Sequence, residues 1–115
     1  MDTAELEKSK PHYIMGCIEY VPGSVVTKTI IKKQTGKISV LAFDSGQSLT
    51  EKIYPFDIVL HIIEGKAEVI IGEKSSMVEA GASIIIPAEA LNTIKAHERF
   101  KMLSVIMKSS YELHV

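Results

Sequence analysis

The sequence predicts an all-β fold, a sandwich or barrel, and three observations carry that prediction. Ile occurs 16 times and Val 9 times against 7 Leu; β-branched side chains are stiff at χ1 and suit a pleated surface. From about Ile14 onward, short apolar or alternating runs recur at roughly 8–12-residue spacing. Turn signals separate them, among them Thr35-Gly36, Asp44-Ser45-Gly46, Glu64-Gly65 and Gly72-Glu73.

The elements follow in order. Residues 1–13 read as an N-terminal extension with two alternatives. Either Asp2–Ser9 forms a short helix, capped by Asp2 with Glu5 three positions on, or the segment is disordered. Pro11 ends any such helix. Nine strands are expected next: Ser24–Lys33, Lys37–Phe43, Glu51–Tyr54, Phe56–Ile63, Lys66–Ile71, Lys74–Val78, Ser83–Ile86, Leu91–Ala96 and Phe100–Lys108. The clearest alternation is in Lys66–Ile71, with Ala67, Val69 and Ile71 on one face and Lys66 and Glu68 on the other. Pro55 and Pro87 stop two of the strands. Residues 14–110 make one barrel domain and 111–115 a tail; 115 residues suffice for one domain and one core.

Composition removes several functions. Thirteen basic residues face fourteen acidic ones, for a net charge of −1. Neither nucleic acid nor an anionic membrane is an expected partner. The single cysteine, Cys17, has no partner in the chain for a disulfide and reads as a small apolar residue rather than a nucleophile. Residues 1–10 lack the apolar core of a secretory signal, and no apolar run approaches the ~18 residues of a membrane helix. A cytoplasmic protein is the expectation.

Ile58–Ile63, Ile84–Ile86 and Met102–Met107 are apolar on both faces. One face fills a barrel; the other needs a cover. A second copy of the same surface supplies one, so a homodimer is expected. The N-terminal segment is the alternative cover.

Two segments then stand out by spacing. The first runs from Gly46 through Gln47-Ser48-Leu49-Thr50-Glu51-Lys52-Ile53-Tyr54-Pro55-Phe56-Asp57-Ile58 to Glu64-Gly65. The second is Gly81-Ala82-Ser83-Ile84-Ile85-Ile86-Pro87-Ala88-Glu89-Ala90-Leu91-Asn92. Over about residues 20–108 the chain resembles the small single-domain cupins, whose two motifs have this glycine and proline spacing. The resemblance implies a cupin-type conical antiparallel β-barrel, also called a double-stranded β-helix or jelly roll. It does not carry the family's metal chemistry. The positions that hold its metal ligands fall here on Lys52, Tyr54, Ile58 and Asn92, and Glu89 replaces a motif glycine. An ammonium, a phenol, an aliphatic side chain and an amide make a poor cation site. No metal and no cofactor are expected.

If these residues point inward, as the resemblance implies, strand alternation adds Leu60, and the last strand adds Phe100, Met102 and Ser104. The candidate ligand pocket is then Lys52, Tyr54, Ile58, Leu60, Asn92, Phe100, Met102 and Ser104. It suits a small carboxylate or another anion, held by the charge of Lys52 and by hydrogen bonds from Tyr54 and Asn92. A metal-independent isomerase or epimerase-like enzyme is the first alternative, with Lys52 and Tyr54 as an acid–base pair. A purely structural or protein-interaction barrel is the second, and a metal-dependent cupin enzyme the third. Of the four histidines, His61 has outward parity and reads as an interface residue, His97 falls in an exposed turn, and His12 and His114 lie near the termini. Met77, Met102 and Met107 read as core fillers; Glu51, Asp57, Glu64 and Glu89 read as rim or turn residues.

Overall fold

Period-two alternation, broken by glycine turns, gives nine strands among the described residues, and every pairing between them is antiparallel. The computed structural model describes residues 5–51 and 53–108. The strands are β1 (Val25–Lys33), β2 (Gly36–Phe43), β3 (Ser48–Glu51), β4 (Asp57–Glu64), β5 (Lys66–Ile71), β6 (Lys74–Glu79), β7 (Ser83–Ile86), β8 (Asn92–Lys95) and β9 (Phe100–Met107). A five-stranded sheet has the order β1-β2-β9-β4-β7, and a four-stranded sheet the order β3-β8-β5-β6. Interleaving of distant strands in each sheet makes the jelly roll.

The inner faces meet in one core. Leu41 and Phe43 of β2, Ile58, Leu60 and Ile62 of β4, and Phe100 and Met102 of β9 pack against Ala67, Val69, Val78 and Ile94 of the smaller sheet. Phe43 and Phe100 stack there with ring centroids 4.4 Å apart, an arrangement that adds about 1 kcal/mol beyond area burial.

β2 is buried on both faces. Val40 and Ala42 point outward, where Ile14, Ile18 and Tyr20 of the N-terminal segment cover them. That segment is a strap. It carries one 3₁₀ turn, Ile14–Gly16. Glu5–Ser9 are not helical, and Asp2–Ala4 lie outside the described residues. The backbone of Leu6 instead donates to Ile30 O at 3.1 Å, and the Glu5 carboxylate accepts from Lys32 N at 3.0 Å. The strap thus takes up polar backbone groups on the edge of β1, which outcompetes a short helix that must bear its own nucleation cost.

Three further expectations shift. The third strand is Ser48–Glu51 rather than Glu51–Tyr54, because its partner β8 runs only from Asn92 to Lys95 and the ladder ends at Glu51–Asn92. Met77 and Met107 are exposed, while Met102 alone of the three is core. Met77 faces outward on the edge strand β6, and Met107 ends the outward set of β9. Among the described residues no helix is long and apolar enough to cross a membrane.

Candidate functional site

Two turns build one end of the barrel. The chain leaves β3 through Ile53-Tyr54-Pro55-Phe56 and returns along β4. The turn between β7 and β8 is Pro87 to Leu91. Asp57 Oδ1 accepts from Ala88 N at 2.8 Å, and Tyr54 O accepts from Glu89 N at 2.6 Å. Ala90 N closes on Pro87 O at 3.2 Å. These bonds pin the two turns together.

Glu89 sits in this turn at φ +67°. That region normally takes glycine, since a Cβ there crowds the backbone at a cost of about 1–2 kcal/mol. The three glycines at the corresponding motif positions, Gly46, Gly65 and Gly81, also have positive φ. Glu89 thus adopts the left-handed backbone that these glycines adopt, without being glycine.

Asn92 opens β8 and is 2% exposed. Its Nδ2 donates to Ala90 O at 3.3 Å, which fixes the orientation of the amide. Oδ1 is buried and has no hydrogen-bond partner among the described residues. A buried acceptor left unpaired costs about 1–3 kcal/mol. Tyr54 packs at the edge of the inner core, half-buried. Lys52 lies outside the described residues.

Deeper in the barrel, Ile58, Leu60, Met102 and Ser104 come together around a cavity of about 30 Å³, with Leu41, Ile86 and Ile94 completing its wall. Ser104 gives this wall its polar group. Phe100 is buried against Phe43 and does not line it. A space of this size holds about one water. Ser39, the cross-strand partner of Ser104, has a buried hydroxyl with no partner among the described residues.

The residues do not fit a divalent metal. Ile58, 4% exposed and packed in the core, offers no donor atom. Asn92 offers one neutral oxygen, and a metal prefers imidazole and carboxylate. No group of three or more His, Cys, Asp or Glu residues that could hold a metal occurs among the described residues. The histidines are spread out. His61 faces outward, its Nδ1 2.6 Å from Ser83 Oγ. His97 Nε2 is 2.6 Å from Glu68 Oε1. His12 Nε2 is 2.8 Å from Glu7 O, and His114 lies outside the described residues.

Two polar clusters had no spacing signal in the sequence. Glu68 accepts from Ser75 at 2.5 Å and pairs with His97; the Ser75 bond, then His97, hold its carboxyl below the usual range. Tyr20 donates to Glu64 at 2.5 Å, with the Arg99 guanidinium and the Lys101 ammonium 5.0 and 5.1 Å from its ring. Each cluster joins residues from separate elements, so only pairing of the strands reveals it. Glu64 is accordingly a strap anchor rather than a simple rim residue. Cys17 is half-buried and its Sγ donates to Tyr13 O at 3.2 Å, within the 3₁₀ turn.

No protein-family model and no curated protein matches the sequence. Solved structures do match. A conserved protein of unknown function from Streptococcus pyogenes superposes with TM-score 0.87 at 26% identity, over 95% of this chain and 96% of that one. A cupin superfamily protein from Desulfitobacterium hafniense gives TM-score 0.85 at 22% identity, over 95% and 100%. A cupin 2 conserved barrel domain protein from Leptotrichia buccalis gives 0.79 at 26% identity, over 82% of this chain and 46% of that one.

Proposed function

From the premise that this chain is a small cupin domain, as its fold makes it, we propose that it is a metal-free binding barrel for a small molecule. The molecule carries a hydrogen-bond donor and is taken at the Tyr54–Asn92 end. The observation that carries this reading is the buried, unpartnered Oδ1 of Asn92. Such atoms are rare in folded proteins and call for a partner. An N–H or O–H of a ligand is one.

The same observation changes the ligand class expected from sequence. Asn92 spends an amide hydrogen on Ala90 O, so what it has to offer is an acceptor. A simple carboxylate has no donor to meet it. A hydroxy acid or an amide does, and a hydroxy acid also meets the charge expected of Lys52. The interior cavity of about 30 Å³ is too small for such a molecule, so the ligand sits at the barrel end. This small interior also favours a second reading, in which the barrel is a protein-interaction module and Asn92 is a structural residue.

One experiment separates the two. Thermal unfolding is followed for the wild type and Asn92→Leu against a panel of small hydroxy acids, amides and plain carboxylates. On the binding reading, donor-bearing compounds raise the wild-type midpoint. A ligand at 100 times its Kd adds about 2.7 kcal/mol. Asn92→Leu loses the response; its own stability changes little, because loss of the bond to Ala90 O is offset by removal of the unpaired buried oxygen. No stabilisation across the panel, or equal responses in both proteins, contradicts it.

A further inference from the structure

Each sheet ends in an edge strand beside the other. β7 ends the five-stranded sheet and β6 the four-stranded one. The chain turns between them over residues 79–82, where Ala82 N donates to Glu79 O at 2.9 Å. Beyond that turn no ladder joins the two strands among the described residues. A wedge of about 290 Å³ opens there between Lys74 and Ser76 of β6 and Ile84 and Ile85 of β7, with Ile71 and Pro87 completing its wall. Ligand pockets start at about this size, roughly 300 Å³.

The inner face of β6 breaks the pattern that its neighbours keep. Val78 is buried and stands opposite Ala67. The next residues of the same parity are Ser76, opposite the buried Val69, and Lys74, opposite Ile71. A hydroxyl and an ammonium thus stand where period two calls for apolar side chains. Such breaks concentrate at functional sites. Ile71 and Ile84 pack against the core yet are only partly buried, so the wedge leaves apolar surface open beside these polar groups. Lys74 makes no ion pair among the described residues. It is the only charged group among the wedge's described lining residues.

We propose that the wedge binds an amphipathic monocarboxylate, a small acid with an aliphatic body. The carboxylate accepts from the Lys74 ammonium and the Ser76 hydroxyl, and the body covers Ile71, Ile84 and Pro87. Charge selects the class. One cation answers one negative group, and the rest of the wall offers apolar burial. The inference is independent of the Asn92 reading. Asn92 Oδ1 calls for a donor, whereas Lys74 and Ser76 present donors. Ile71 stands between the two, paired with Asn92 on one side and Lys74 on the other.

Titration of the full chain with sodium octanoate tests this, followed by nuclear magnetic resonance of labelled isoleucine δ1 methyls. The Ile71 and Ile84 signals are expected to shift and to saturate below the micelle concentration. 1-Octanol has the same body without the charge and is expected to bind about tenfold more weakly, the worth of one charge-assisted hydrogen bond. Lys74 is exposed on an edge strand, and Lys74→Met is expected to lower octanoate to the level of octanol. Asn92→Leu is expected to bind octanoate as the wild type does. Absence of saturable shifts at Ile71 and Ile84 overturns the inference. So does equal affinity of the wild type for octanoate and octanol, which needs no variant to fold. Undiminished binding by Lys74→Met, or loss of binding in Asn92→Leu, overturns it as well.

Discussion

The hydroxyl of Tyr20 donates to Glu64 Oε1 at 2.5 Å, joining the strap to the end of β4. At this point β4 slips register against β9 between Ile62 and Glu64. The bulge turns the Glu64 carboxylate toward the strap, and Lys101 Nζ donates to Met15 O at 2.7 Å nearby. Arg99 and Lys101 sit by the same phenol ring, where cation–π contacts add roughly 0.5–1 kcal/mol each at exposed sites. One tyrosine thus holds the cover of the outer sheet.

Tyr20→Phe should cost about 1.5–3 kcal/mol, the worth of a hydrogen bond to a charged acceptor. The pH dependence is distinctive. Burial, then the bond to Glu64, raise the Tyr20 phenol above its ordinary range. The folded state keeps its proton longer than the unfolded one, so this stabilisation is complete below about pH 10 and is lost as pH rises beyond it. Denaturant titrations at pH 8 and pH 10.5 should show a steeper loss in the wild type than in Tyr20→Phe.

Glu89→Gly should stabilise the fold by about 1 kcal/mol, because it relieves a left-handed residue at φ +67°. A raised melting temperature checks this. An unchanged or lowered one would mean that the Glu89 side chain makes compensating contacts in the turn.

Gly65→Ala should be damaging, by about 3 kcal/mol. Gly65 has φ +78°, and a Cβ there would run into the backbone carbonyl oxygen of Arg99 and the Phe100 side chain. Backbone cannot swing aside as a side-chain tip can. Soluble yield and a denaturation midpoint give the answer.

Ser39→Ala should be neutral or stabilising by up to about 1 kcal/mol, since it removes a buried hydroxyl without a partner among the described residues. Loss of stability in a chemical melt would show that the hydroxyl binds an internal water, which Ser104 across the strand pair would share.

Much of the fold was legible because strand periodicity and turn chemistry agree locally. Lys66–Ile71 alternates cleanly and Gly72-Glu73 turns it, and the structure has that strand unchanged. The inward set had three sources: motif spacing placed Ile58 and Asn92, alternation along the strand added Leu60, and an outward Lys101 set the parity of Phe100 and Met102; all five are buried. The strap was less legible. Its residues show no period, and its anchors are long-range: Tyr20 to Glu64, Leu6 to Ile30, Lys101 to Met15. The third strand was misplaced because its end is set by a partner forty residues away rather than by Pro55 beside it. At the candidate site, residue identity showed the mismatch with a metal. The direction of the Asn92 amide depends on Ala90 O and is visible only in three dimensions.

The central claim is a cupin barrel whose binding end works without a metal. Elemental analysis by plasma mass spectrometry tests it most directly, on protein purified without chelators, loaded with Mn²⁺, Fe²⁺, Ni²⁺ and Zn²⁺ in turn and dialysed. The account predicts metal far below one ion per chain in every case. One transition-metal ion per chain that survives dialysis would contradict it.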